Sequence, residues 1–195
     1  MLFNPNGLLL LNGMNCAPIS RYYKFIYRSL IGNITVYGDE MENIVRLRLE
    51  TQKHFDDENA FKAAKIARLK VFDLAEKWLD CYFKGEKPET KELPLKITGS
   101  EFRQTVWQIL REIPYGSYTT YGAIAREIAL RRNMPAMSAR SIGDAVARNP
   151  VLIIIPCHRV IGSNGKLTGY AGGTDIKRKL LELEGITIGK SYVFP

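Results

Sequence analysis

The stretch Val151-Leu152-Ile153-Ile154-Ile155-Pro156-Cys157-His158-Arg159-Val160-Ile161 runs apolar for five residues, stops at proline and then sets a cysteine beside a histidine. The run from Val151 to Ile155 predicts a buried strand, and Pro156, which has no backbone N–H, interrupts its ladder. Cys157 therefore stands at a strand end. A thiol becomes a strong nucleophile as thiolate, which forms near neutral pH when a base or cation lowers its pKa. His158 and Arg159 are candidates of both kinds. A buried cysteine also serves as a small hydrophobe, and the local sequence leaves both readings open. Adjacent side chains on an extended segment point to opposite faces, so contact between His158 and Cys157 requires a turn after Pro156 or a bridging water.

Upstream, two helices are predicted, one from about Thr120 to Leu130 with Thr119 or Thr120 as N-cap and one from Ser138 to Arg148. Helix, loop, helix in a basic segment suggests a helix-turn-helix, although packed helix pairs furnish α domains of every function. The loop Arg131 to Met137 is longer than the usual tight turn. Ser138, Ala139, Ser141, Gly143, Ala145 and Ala147 are small, which suits close approach to a groove or to another helix, while Arg140 and Arg148 supply charge. Asn149-Pro150 ends the second helix, because a residue before proline is pushed out of the α region. Phe102, Val106, Ile109, Leu110 and Ile113 mark an earlier helix, closed by the turn Pro114-Tyr115-Gly116-Ser117.

Downstream, Gly162 to Gly173 is glycine-rich without the spacing of a P-loop or a dinucleotide fingerprint. Its glycines suit close approach of backbone to a flat ligand. The final helix turns Ile176, Leu180, Leu181 and Leu183 inward. Glu184 at its C-terminus is disfavoured by the helix dipole, so it is either solvated or held by a specific partner, for which His158 is the candidate.

The first half reads differently. Alternating residues between Tyr22 and Glu50, with a turn at Gly38-Asp39-Glu40, predict a small antiparallel sheet. Ala64, Ala67, Val71, Leu74, Trp78 and Tyr82 predict an amphipathic helix over 58–83 that packs on it. The expected class is α+β, with a loosely ordered extension over 1–20, an α/β domain over 21–84, a proline-containing charged linker over 85–100 and a mainly helical domain over 101–195.

Composition narrows the function. Cys16, Cys81 and Cys157 form no disulfide framework and fit a reducing compartment. With His54 and His158 as the two histidines, and no Cys-x-x-Cys, there is little from which to build a zinc site. No signal peptide or membrane span is expected, the apolar run Leu8 to Leu11 being too short, and the chain reads as soluble and cytoplasmic. Residues 101–195 carry 13 basic against 7 acidic side chains, so +6 of the net +8 lies there. That asymmetry fits a phosphate-bearing partner.

Pro156-Cys157-His158-Arg159-Val160-Ile161 is highly specific when combined with Asn149-Pro150, Arg140-Ser141-Ile142-Gly143, Ile113-Pro114-Tyr115-Gly116, Thr120-Tyr121-Gly122, Gly169-Tyr170 and Leu180-Leu181-Glu182-Leu183-Glu184-Gly185. Together they resemble the methylated-DNA–protein-cysteine methyltransferases, or O6-alkylguanine-DNA alkyltransferases. The resemblance is close over 100–187 and looser over the N-terminal sheet with Gln52-Lys53-His54-Phe55. It implies a ribonuclease H-like N-terminal domain and a winged-helix-like C-terminal domain acting as a monomer on the minor groove of double-stranded DNA that contains alkylated guanine.

By the same resemblance, Cys157 accepts the alkyl group once and irreversibly from O6-alkylguanine, with O4-alkylthymine a second substrate class, and needs no cofactor or metal. Arg140 fills the gap left by the extruded base. Asn149 is the hinge to the active-site segment, and Tyr121 assists rotation and donates to the leaving guanine. His158 and Glu184 form, through a water, the relay that keeps Cys157 as thiolate, while Arg159 is structural. The backbones of Cys157, Val160 and Ala171 hold the guanine, and Val146, Leu152 and Tyr170 set the pocket's size. Ser138, Ala139, Ser141 and Gly143 complete the DNA face, from which Asp144 is expected to turn away. The zinc ligands of the vertebrate members are missing here. A non-enzymatic alkyltransferase-like lesion binder or a helix-turn-helix transcription regulator is the alternative; the first replaces the cysteine that this chain retains, and the second attaches domains not seen here. A cysteine hydrolase would draw its histidine from a distant part of the sequence.

Overall fold

The computed structural model describes residues 22–52 and 61–187; the expectations for the N-terminal extension, Cys16 and His54 fall outside them. The alternation of the first half forms three antiparallel strands, β1 (Tyr23–Ser29), β2 (Gly32–Gly38) and β3 (Ile44–Leu49). Tyr27 pairs with Ile34 and Val36 with Leu47, so Ile34, Val36, Leu47 and Leu49 reach the core while their alternates take the opposite face, where Tyr37 and Arg46 are buried as well. A short strand β4 (Lys65–Ile66) adds to β1 in parallel, giving the order β3-β2-β1-β4 and a mixed sheet where an antiparallel one was expected.

That strand also corrects the predicted helix. Lys65 N–H donates to the Tyr22 carbonyl and Ala67 N–H to the Lys24 carbonyl, so the open backbone of β1 claims these residues and overrides their helical spacing. Helix α1 starts at Lys70 and runs to Phe83. It buries Val71, Phe72, Ala75, Trp78, Leu79 and Tyr82, and Leu74, expected inward, is 44% exposed. Within the segment over 85–100, Pro94 to Lys96 lie along β3, with Ile44 N–H donating to the Pro94 carbonyl and Lys96 N–H to the Ile44 carbonyl.

The second half holds α2 (Glu101–Glu112), β5 (Thr119–Thr120), α3 (Tyr121–Arg131), α4 (Ala139–Ala147), β6 (Val160–Ile161) and α5 (Thr174–Leu183). Ser100 caps α2, and the Thr120 hydroxyl caps α3 by accepting from Ala123 N–H at 3.1 Å. Helices α3 and α4 pack on each other and on α2. Trp107 of α2 fixes α4 from behind, its indole N–H donating to the Ala145 carbonyl at 2.9 Å. Beneath the pair, β5 and β6 join in parallel, Thr119 opposite Val160.

Residues Val151 to Ile155 are all buried, as expected, but do not form a strand. Only Val151 bridges to Leu47 of β3; beyond it the chain folds on itself, Ile155 N–H donating to the Val151 carbonyl and Ile153 taking φ +70°. Asn149 holds this turn from inside, its amide donating to the Ile155 carbonyl at 2.8 Å and its oxygen accepting from Val151 N–H at 3.0 Å. A continuous apolar run reports complete burial, which a packed turn satisfies as well as a strand does. The core is continuous from Ile34 and Leu47 through Val71 and Leu79 to Ile142, Ile154 and Leu180.

Among the described residues, no helix is long and apolar enough to cross a membrane, and no group of three His, Cys, Asp or Glu could hold a metal ion.

Candidate active site

The turn required after Pro156 is present: Cys157–Arg159 forms one turn of 3-10 helix between the Asn149-held loop and β6. It sets Cys157 on the floor of a cleft of about 280 Å³. Tyr121 of α3, Gly143, Val146 and Ala147 of α4, Leu152 of the loop, and Gly169, Tyr170 and Ala171 of the glycine-rich segment form its walls. Four of the five expected pocket residues, Val146, Leu152, Tyr170 and Ala171, thus meet around the thiol. Val160 does not line the cleft; it is fully buried behind Cys157, and its carbonyl accepts from Lys177 Nζ at 2.5 Å.

Cys157 is 4% exposed. Burial pushes its thiol up to about 11, against the opposing pull of the Asn149 amide and the Lys177 ammonium. The raised value favours the thiol at rest, so a proton must leave as the sulfur reacts.

His158 is fully buried, and its Nε2 lies 2.6 Å from Glu184 Oε1, a direct contact. Burial lowers its pKa below the ordinary histidine value, with Glu184 opposing, so the imidazole is neutral at neutral pH. A carboxylate accepts only, which assigns the proton to Nε2 and leaves Nδ1 as the basic nitrogen. Nδ1 is buried and has no hydrogen-bond partner among the described residues, and the same holds for the Tyr170 hydroxyl.

Glu184 caps α5, and Gly185 follows it at φ +73°, a left-handed turn that suits glycine. The carboxylate is not solvated. Arg159 Nε donates to Oε2 at 2.8 Å and Nη2 to Oε1 at 3.0 Å, while Gly116 N–H reaches Oε2 at 3.3 Å and the Tyr82 hydroxyl reaches Oε1 at 2.7 Å. Burial alone would raise its pKa, but His158 and Arg159 hold it down to about 2. Arg159 also donates to the Ile113 carbonyl at 2.6 Å, which ties the carboxylate to the end of α2.

Two contributors escaped the sequence reading. Lys177 is fully buried, donates to the carbonyls of Val160 and Thr168, and is brought down to about 8 by burial despite the opposing influence of Cys157. A lysine three and four residues before Leu180 and Leu181, on the apolar stripe, was its available signal. Tyr82 gave none, because an aromatic residue four after Trp78 on a core stripe looks like packing alone.

The remaining expected residues divide by position. Ser138, Ala139, Arg140 and Ser141 are exposed around the first turn of α4, and Gly143 reaches the cleft. Asp144 faces away from the cleft walls and pairs with Arg148 at 3.2 Å. Tyr121 stands at the mouth with its hydroxyl donating to the Thr168 carbonyl at 3.3 Å.

A cleft walled by a helix pair, with a buried cysteine on its floor and a histidine–carboxylate pair behind it, defines a two-domain protein with the parts for nucleophilic sulfur chemistry. Comparison with known proteins gives the family. The model of the 6-O-methylguanine DNA methyltransferase DNA binding domain matches residues 101–186, and that of the ribonuclease-like domain of the same methyltransferase matches 22–97. The chain belongs to the 6-O-methylguanine DNA methyltransferase family. A methylated-DNA–protein-cysteine methyltransferase of Methanosarcina acetivorans is 42% identical over 164 residues, covering 84% of this chain and 98% of the relative. That of Haemophilus influenzae is 41% identical, covering 85% and 87%. The crystal structure of Mycobacterium tuberculosis O6-methylguanine methyltransferase superposes with a TM-score of 0.71 at 39% identity, covering 84% of this chain and 92% of that one. The Mycobacterium tuberculosis protein in complex with DNA gives 0.68 at 38% identity.

Proposed function

We propose that this protein repairs DNA by direct reversal, taking the alkyl group from O6-alkylguanine onto Cys157 in a single irreversible step. The observation that carries this reading is Cys157 on the floor of a cleft whose wall is α4, the helix that bears Arg140. The duplex lies along the exposed first turn of α4, and the lesion turns out of the stack into the cleft past Tyr121 and Gly143. Extrusion costs a few kcal/mol, less for a lesion that pairs badly. Arg140, free of the helix pair's interior, replaces the lost stacking.

In the transfer, Cys157 gives its proton through a bridging water to His158 Nδ1 as the sulfur attacks the alkyl carbon. The carbon–sulfur bond forms while the carbon–oxygen bond to guanine breaks. Guanine leaves as an anion and takes up a proton from Tyr121, which is restored from His158, so the thiol's proton ends on the base. Glu184 steadies the transient imidazolium. The Tyr170 hydroxyl, which has no partner among the described residues, is available to the bound base. The product is a thioether with no hydrolytic exit, so each molecule acts once. O4-alkylthymine is the second substrate class of this reading. We assign the work to a monomer in the cytoplasm, a reducing compartment that keeps Cys157 as thiol.

Incubation with duplex DNA containing O6-methylguanine, followed by peptide mass analysis, tests the assignment. The Cys157 peptide gains the mass of one CH₂ in proportion to lesions removed. Loss of the lesion without that gain, or an untouched lesion, overturns it.

A further inference from the structure

Tyr82 belongs to α1, in the N-terminal half of the chain, yet its hydroxyl lies in the active centre. It is 1% exposed, donates to Glu184 Oε1 at 2.7 Å and sits 3.3 Å from His158 Nε2. The ring is anchored independently by stacking on Trp78 at 5.4 Å between centroids. With its one proton given to Glu184, the phenol oxygen can only accept from Nε2–H, which is therefore shared between two oxygens. No other group on α1 has this reach. We infer that Tyr82 is a positioning residue for alkyl transfer, by which the N-terminal domain fixes Glu184 and holds the His158 ring with Nδ1 turned away from both oxygens.

The inference rests on the reading of His158 as the proton acceptor. The charged and titratable groups that face His158 are Glu184 and Arg159, Lys177 of α5, Tyr170 across the ring at 6.5 Å, and Tyr82 of α1. Removing the Tyr82 hydroxyl leaves the Glu184–Arg159 pair and the cleft wall in place. Its hydroxyl draws charge from Oε1, the same oxygen that meets Nε2. In Tyr82→Phe that oxygen becomes more basic and the imidazolium easier to form, so the histidine pKa rises and the ring loses one of its two anchors.

The test is the rate of transfer from free O6-benzylguanine as a function of pH, in wild type, Tyr82→Phe and His158→Gln, with ¹⁵N imidazole spectra of His158. Expected is a plateau rate about tenfold lower in Tyr82→Phe, the loss of one hydrogen bond to a charged group, with the acid limb moved to higher pH. A 3-fluorotyrosine at position 82, a stronger donor in a ring changed by one fluorine, moves that limb the other way and keeps the test available if the phenylalanine variant folds poorly. Superimposable pH profiles and unchanged imidazole spectra in both Tyr82 variants overturn the inference while leaving the alkyl transfer intact. A wild-type rate in His158→Gln instead overturns the proton-acceptor reading on which it stands.

Discussion

Cys157, His158, Glu184 and Lys177 show how one dry site makes opposite demands on its ionisable groups. Burial keeps the cysteine as thiol and the histidine neutral, yet Glu184 stays ionised because Arg159, Tyr82 and the Gly116 N–H supply donors that water would otherwise provide. Acid lability follows from the signs. Glu184 falls to about 2 in the fold from an ordinary 4.5, so its contribution is full above about 4.5 and is lost as pH falls towards 2. His158, lowered from 6.5, acts in the same direction, since the unfolded chain takes up its proton first as pH drops below that value. Urea midpoints measured from pH 7 down to 3 are expected to fall steadily, and Glu184→Gln is expected to flatten the lower part of that curve while costing about 3 kcal/mol at pH 7. At the same scale, Cys157→Ala should retain duplex binding within about twofold and remove no lesion, measured by gel shift and lesion release on the same DNA, because the side chain lies on the cleft floor away from α4's exposed turn.

Elements carry the next set of consequences, and here the limits of sequence reading have physical causes. The Thr120 cap, the extent of α3, the small-residue face of α4 and the partnership of Glu184 with His158 were all legible, because each depends on local chemistry or on one charge that needed a partner. The start of α1 was not. Its alanines satisfy a helical period, but the unpaired edge of β1 competes for them, and that edge is visible only in three dimensions. Nor was the turn at Val151 to Ile155, where Asn149 supplies from its side chain what a neighbouring strand would have supplied. Asn149→Ala strands two buried backbone groups, each at a cost of about 1–3 kcal/mol, and a fall of that combined size in unfolding free energy is expected from chemical denaturation. On α4, Arg140→Ala should slow repair of duplex DNA by on the order of tenfold, while leaving transfer from free O6-benzylguanine unchanged. Equal losses on both substrates would remove Arg140 from the extrusion step.

Taken whole, the molecule joins a nearly neutral half to a basic one. The excess of +6 over residues 101–195 predicts a duplex affinity whose logarithm falls linearly with the logarithm of salt concentration, and a titration series between about 50 and 200 mM salt reads the slope directly. The halves are also stitched: Leu47 bridges to Val151, and Tyr82 reaches Glu184. Ile153 sits in the middle of the stitched turn at φ +70°, a conformation that β-branched residues resist at a cost of about 1–2 kcal/mol. A conventional enzyme can offset a poorly folding fraction by turning over faster. A protein whose product stays attached to it has no such recourse: its capacity is a headcount, one lesion for each molecule that reached the strained turn intact. Marginal folding at Ile153 thus becomes, lesion for lesion, unrepaired DNA.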